Sequence, residues 1–166
     1  GMTPHKQRAK AQETLSVYAP LAYRLGMWVV KNELENLSLE VLDNATYESI
    51  RAELERLSRA QKPLFEIVRA QIDDCLTSNG LSVQDVKMSP ENIYTVYKDL
   101  QKQGAVYRDI DRMLRVTVLL NDPIDCYTAL GYIHHLWPVV PHHFDDYISV
   151  RRENLYQSLH TTLVHS

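Results

Sequence analysis

The chain has 166 residues, a length that suits one medium domain or two small packed units. Hydrophobic residues make up 45% and charged residues 23%, and the net charge of −3 predicts no general affinity for nucleic acid or for an anionic membrane. No apolar run approaches the roughly 20 residues that span a bilayer, so we expect no membrane partner. The two cysteines, Cys75 and Cys126, lack metal-ligand spacing, which predicts free thiols and a cytoplasmic location.

The first part of the chain carries only helical patterns. Apolar residues follow helical spacing from Gln12 to Leu25, which predicts a half-buried helix that ends at Gly26. A second helix is predicted over Val29 to Leu42, because Leu34, Leu37 and Val41 fall on one side.

A third, longer helix is predicted from Asn44, whose side chain suits the N-cap position. Pro63 is expected to kink or restart this helix, and Asn79-Gly80 is a strong stop. Residues 1–80 are therefore predicted to form a helical unit.

Strand and helix patterns alternate after Gly80. Ser89 is predicted to cap a helix with Pro90 in its first turn, and Asp122-Pro123 opens a later helix. The layout predicts an α+β fold, with a helical unit followed by β-α-β-α-β. In chain order the predicted segments are a strand over 81–87, a helix over 91–102, a strand over 113–120, a helix over 122–136, a loop over 137–142 and a strand over 159–164.

Several motifs resemble the RelA/SpoT family of guanosine polyphosphate synthetases and hydrolases. They are Glu13–Gly26, Lys31–Leu37, Asp125–Gly131, Phe144–Ile148 and Asn154–Thr162. The resemblance implies that residues 1–80 match the region after the hydrolase motifs and the central helices. It also implies that residues 81–166 are a partial synthetase domain with a nucleotidyltransferase-like mixed sheet. The family's reaction transfers a pyrophosphoryl group from ATP to the 3′-hydroxyl of GDP or GTP.

The acceptor side of the family's site is retained. Tyr156 matches the position whose ring stacks on guanine, a task that suits an aromatic side chain. Arg152 stands where the family usually has lysine. Leu155 replaces the usual glycine, so if that glycine has a positive φ, the leucine would be strained or would force a different turn. The resemblance implies these acceptor residues: Tyr147, Arg152, Asn154, Tyr156 and His160. The alternative is that they only cap and pack a strand edge.

The donor side differs in charge from the family pattern. Ser89 replaces an arginine, while Glu91 and Asp99 replace lysines that would face the ATP phosphates. Lys98 lies beside Asp99 but about 100° away around the helix. Because reversed charges beside a triphosphate oppose binding, we expect ATP binding to be lost.

The metal site of active family members, which hold Mg²⁺, is also altered. The family's aspartate falls on Arg112, with Asp111 one residue earlier. Asp109 and Asp111 are weak candidates for a Mg²⁺ pair, because period-2 spacing on a strand would place them on one face. The alternative is a solvated acidic turn, and we expect no cofactor.

Other catalytic motifs of the family are not found in the sequence. The second acidic motif lies downstream of the Tyr156 run, and the sequence ends at Ser166 before it. The hydrolase His-Asp motif has no match, since only His5 occurs upstream of Thr14. His134-His135 and His142-His143 are expected to be surface pairs.

Three functions follow from these patterns. The first is a nucleotide-binding or regulatory module of guanosine tetraphosphate (ppGpp) metabolism that has lost synthesis, with a guanine nucleotide as ligand. The second is an active GTP pyrophosphokinase completed by a partner chain. The third is an association remnant in which the long helix around Arg51 to Leu76 pairs chains and no ligand binds. An open strand edge near Val164 is expected to favour a homodimer.

Overall fold

The structure is a computed structural model that describes residues 2–89, 91–103, 114–150, 152 and 154–165. The chain divides into two compact units, Gly1–Gln61 with Pro90–Leu114 and Lys62–Ser89 with Arg115–Ser166. The predicted division at Gly80 follows sequence motifs instead, and it stays a prediction. The elements are α1 (Pro4–Glu13), a π-helical turn (Thr14–Tyr18), α2 (Ala19–Arg24), α3 (Trp28–Leu42), α4 (Asn44–Ser78), β1 (Val83–Met88), α5 (Ile93–Gln103), β2 (Val116–Leu120), α6 (Pro123–Leu136), β3 (Val139–Asp146) and β4 (Leu159–Leu163).

Both predicted glycine stops are confirmed. Gly26 and Gly80 adopt φ of 73° and 81°, a left-handed conformation that costs glycine little. At the end of α4, the N–H of Leu81 donates to the carbonyl of Leu76 and the N–H of Gly80 donates to the carbonyl of Thr77, both at 3.0 Å. This pair of bonds is the Schellman motif, which satisfies carbonyls left over at the helix end.

The long helix α4 begins where the sequence predicts, but a different side chain caps it. Asp43 accepts a hydrogen bond from the Thr46 N–H at 3.1 Å and another from the Thr46 hydroxyl at 2.7 Å. The prediction that Asn44 is the cap was therefore wrong by one residue. The helix continues through Pro63 over its full 35 residues, so the predicted restart there is not observed.

Ser89 does not cap α5. Its N–H donates to the carbonyl of Arg115 at 3.0 Å, and its hydroxyl lies 2.6 Å from that of Thr117. These bonds extend the pairing of β1 with β2 by one residue. Helix α5 begins at Ile93, and the first helical bond runs from the Val96 N–H to the Asn92 carbonyl.

The predicted α+β class is confirmed. In the described part, the strands pair antiparallel in two sheets of two, β1 with β2 and β3 with β4, and no mixed sheet is seen there. The predicted loop over 137–142 was wrong for residues 139–142, because β3 begins at Val139. The pairing of β3 is irregular between Val139 and Phe144, where His142 has a φ of 64°. Such an irregularity lets an edge strand accommodate Pro141, which cannot donate to a ladder.

Small side chains form the buried faces of α1 and α2. Ala11, Ala19 and Ala22 are buried, whereas Val17 and Leu25 are 51% and 65% exposed. The predicted half-buried stripe therefore points largely outward, because the alanines provide the packed face. In the second unit, α4 buries one face at helical spacing, through Phe65, Val68, Ile72 and Leu76. No helix among the described residues is long and apolar enough to cross a bilayer.

Candidate acceptor-nucleotide site

Three aromatic side chains of the second unit form a ring cluster at the end of the β3–β4 sheet. The pairing of Asp145 with His160 sets the register, and the Tyr147 N–H donates to the Ser158 carbonyl at 2.9 Å just beyond it. The His160 ring meets the rings of Tyr147 and Tyr156 edge-on, with centroid distances of 5.2 and 5.9 Å. Aromatic faces arranged around an exposed edge suit the stacking of a planar base.

Arg152 adds a positive charge to this ring cluster. Its guanidinium carbon lies 3.8 Å from the centroid of the Tyr147 ring, which is a close cation–π contact. The geometry thus brings together Tyr147, Arg152, Tyr156 and His160, four of the residues that the sequence predicts for the acceptor side. Their roles in binding stay predictions, while their proximity is observed.

The His160 ring is held in a defined orientation. Its Nε2 lies 2.9 Å from the Tyr156 hydroxyl, and the donor of this bond depends on the histidine tautomer. Removal of the ring from solvent lowers the pKa of His160, an effect that Asp145 opposes and that Arg152 and Arg115 reinforce. A lowered pKa favours the neutral imidazole, whose ring nitrogens can either donate or accept a hydrogen bond.

Asn154, the fifth predicted acceptor residue, lies beneath the turn that carries Tyr156. It is 6% exposed, and its Oδ1 accepts the Tyr156 N–H at 3.2 Å. Its buried Nδ2 has no hydrogen-bond partner within the described residues. A buried donor without a partner is costly and calls for an acceptor atom from elsewhere.

Leu155 adopts a strained backbone, which is one of the two outcomes expected for a leucine in place of glycine. Its φ is 58°, and this left-handed conformation costs a residue with a Cβ about 1–2 kcal/mol. Its N–H donates to the carbonyl of Arg152 at 3.1 Å, which closes the turn.

Asp146 organises the loop after β3, a role that sequence reasoning missed. Its Oδ1 accepts the N–H groups of Ile148 and Ser149 at 2.9 and 2.8 Å, and its Oδ2 accepts the Tyr127 hydroxyl at 2.8 Å. Chiefly because of the Ser149 N–H, the pKa of Asp146 falls to about 2. An aspartate two and three residues before the N–H groups it accepts is a local turn signal that could have been read from the sequence.

Two of the three ATP-side residues, Glu91 and Asp99, lie in the first unit. Contacts from α3 hold the start of α5 there. The Asn36 Oδ1 accepts the Tyr94 N–H at 3.1 Å, and the Asn92 amide donates to the Glu35 carboxylate at 3.1 Å. The Lys98 ammonium lies 4.9 Å from the centroid of the Tyr94 ring. The two acidic replacements, Glu91 and Asp99, are half-buried and exposed, respectively. In the second unit, the Ser89 hydroxyl is already bonded to Thr117.

The metal candidates Asp109 and Asp111, together with Arg112, lie outside the described residues. Among the residues that are described, no group of three or more His, Cys, Asp or Glu side chains has a geometry that suits a metal ion. Of the predicted surface histidines, His134 contacts the Thr161 hydroxyl at 2.9 Å.

The ring cluster lies in a part of the chain that matches a known protein family. The family described as a region found in RelA/SpoT proteins matches residues 90–166. Residues 90–166 belong to the RelA/SpoT family. The match includes β4, the turn at Asn154 and all five predicted acceptor residues.

Curated RelA/SpoT relatives resemble nearly the whole chain. A bifunctional (p)ppGpp synthase/hydrolase RelA of Mycobacterium tuberculosis is 39% identical over 98% of the chain and 22% of its own length. A guanosine-3′,5′-bis(diphosphate) 3′-pyrophosphohydrolase of Aquifex aeolicus is 36% identical over 96% of the chain and 23% of its own length. A GTP pyrophosphokinase of Myxococcus xanthus is 34% identical, with 98% and 21% covered. The chain thus spans about a fifth of the length of the curated relatives it matches.

Proposed function

We propose that this chain is a guanine-nucleotide-binding module of RelA/SpoT-type ppGpp metabolism that does not itself support pyrophosphoryl transfer. The observation that carries the proposal is the ring cluster of Tyr147, Tyr156 and His160 with Arg152 over the Tyr147 face. In this proposal, the base stacks on Tyr156 and the guanidinium attracts the nucleotide's phosphates.

The buried amide of Asn154 supports the same proposal. Its Nδ2 is a donor without a partner in the described part of the chain. A nucleotide bound on Tyr156 brings ribose and phosphate oxygens, which are acceptors of the kind that this donor lacks. Because this Nδ2 atom is buried in the free chain, binding would satisfy it only with a movement of the turn at Asn154.

The residues on the ATP side support the loss of pyrophosphoryl transfer. Ser89 is engaged in the β1–β2 pairing, and Glu91 and Asp99 supply negative charge where the family resemblance implies cations. Phosphoryl transfer depends on neutralising the charge of the triphosphate, so these replacements oppose catalysis.

Calorimetric titration with GDP, GTP and guanosine tetraphosphate tests the binding part of the proposal. We expect saturable binding that Tyr156→Ala weakens at least about fivefold, because base stacking contributes about 1–3 kcal/mol. Tyr18→Ala is the matched control: it removes an exposed tyrosine of the first unit, outside the ring cluster, and is expected to leave binding unchanged. No heat at millimolar ligand would leave the association remnant as the better account.

Incubation with ATP, Mg²⁺ and GDP tests the loss of transfer. We expect no guanosine tetraphosphate by ion-exchange chromatography. Product that forms with the wild-type chain and disappears with Asp111→Asn would favour the active pyrophosphokinase instead.

A further inference from the structure

Leu155 combines two unfavourable features that no contact among the described residues offsets. Its backbone is in the left-handed region at φ 58°, where glycine would be unstrained. Its side chain is 80% exposed, so it gains little from packing within the chain. The bond from its N–H to the Arg152 carbonyl uses only the backbone, so glycine could make it equally well. What favours leucine here therefore acts through the side chain, which the described residues leave largely uncovered.

The position of Leu155 indicates what that contact is. It lies between Asn154, whose buried Nδ2 lacks a partner among the described residues, and Tyr156, whose hydroxyl meets His160. Its N–H donates to the carbonyl of Arg152, whose guanidinium lies over the Tyr147 ring. Strained residues that persist without local compensation tend to occur at ligand-binding positions.

We propose that Leu155 contacts the sugar and base of the guanine nucleotide bound at the ring cluster. This inference rests on the proposed function and names a further contact within the same site. The ligand covers an aliphatic side chain that the free chain leaves in water, and this burial compensates for the backbone strain. A glycine at this position provides the same turn without that contact.

Two substitutions separate the side chain from the backbone. Leu155→Gly removes both the strain and the contact, so the second unit should melt at a higher temperature while GDP binds about tenfold more weakly. Leu155→Ala keeps a Cβ at positive φ, so the melting temperature should stay close to wild type while the loss of affinity is similar. A tenfold change in Kd corresponds to about 1.4 kcal/mol. Val150→Ala is the control, because Val150 lies on the same loop and is 71% exposed but has no positive φ.

The contact is tested by calorimetric titration with GDP and by thermal unfolding of four proteins: wild type, Leu155→Gly, Leu155→Ala and Val150→Ala. A tenfold loss of affinity in both Leu155 variants, with Val150→Ala within twofold of wild type, would support the contact. Equal affinity in wild type, Leu155→Gly and Leu155→Ala would overturn it, as would an equal loss in Val150→Ala. If GDP binds in a Tyr156-dependent way but ignores Leu155, only this inference fails. If the wild-type chain binds no GDP, both the proposed function and this inference are wrong.

Discussion

The buried ion pair of Lys31 with Glu35 predicts that removing one partner lowers the unfolding free energy more than replacing both. The two groups are 2.8 Å apart, their side chains are only 16% and 8% exposed, and Glu35 also accepts the Asn92 amide at 3.1 Å. Lys31→Met leaves the carboxylate buried without its cation. Breaking a buried pair in this way costs about 3–5 kcal/mol, which the residual exposure of Lys31 reduces to about 2–3 kcal/mol. In a chain of this length, that loss lowers the melting temperature by about 5–10 °C.

The double variant Lys31→Met/Glu35→Gln is expected to be more stable than Lys31→Met alone. The glutamine carries no charge, yet its carbonyl oxygen still accepts the Asn92 amide, so the double variant should lie within about 1 kcal/mol of wild type. Urea unfolding followed by Trp28 fluorescence in a Trp137→Phe background would measure the first unit selectively.

An exposed ion pair provides the control for this experiment. Arg51 pairs with Glu48 and Glu55 on the exposed face of α4, so Arg51→Met should leave the urea midpoint close to that of wild type. A Lys31→Met variant as stable as Arg51→Met, or a double variant less stable than Lys31→Met, would refute the reasoning.

Two further predictions concern single residues. The folded state lowers the pKa of Asp146 to about 2, so its charged form stabilises the fold above pH of about 4, and this contribution disappears as the pH falls toward 2. Asp146→Asn should therefore be less stable than wild type at neutral pH and equal to it near pH 2, as monitored by Trp137 fluorescence; a constant difference across this range would contradict the assignment. Gly80→Ala should lose about 1 kcal/mol through its positive φ alone, because a Cβ there meets no atom of the described residues within 4 Å. Gly131→Ala, in the middle of α6 and equally free of clashes, should gain about 0.5–1 kcal/mol, and equal signs for the two would contradict the backbone explanation.

Helix ends could be predicted from the sequence because local residues determine them. Gly26 and Gly80 stop their helices through their own φ angles, and Asp122 caps α6 by accepting the Ile124 N–H at 2.7 Å. Ser89 could not be predicted in the same way. Its hydroxyl partner is Thr117, 28 residues away, and this pairing outweighs its local tendency to cap a helix.

The candidate site shows the same division between local and distant causes. The strain at Leu155 could be anticipated as one of two outcomes, because a residue that replaces glycine in a turn either keeps its positive φ or forces a different turn. The contact of Tyr147 with His160 could not, because it depends on the register of β3 with β4, and the irregularity at His142 shifts that register. The family resemblance supplied the list of acceptor residues, and the structure supplied their proximity.

The central claim is that a guanine base binds at the ring cluster, and the NMR signal of the His160 ring tests it most directly. His160 lies edge-on to both Tyr147 and Tyr156, so a base stacked on Tyr156 must change the ring currents that His160 experiences. His165, which lies 5.6 Å from Trp137 by ring centroids, serves as the internal control. Titration with GDP should shift the carbon-bound protons of His160 in a saturable way while those of His165 stay in place. A His160 signal that does not move at millimolar GDP, in a chain that remains folded, would contradict the account.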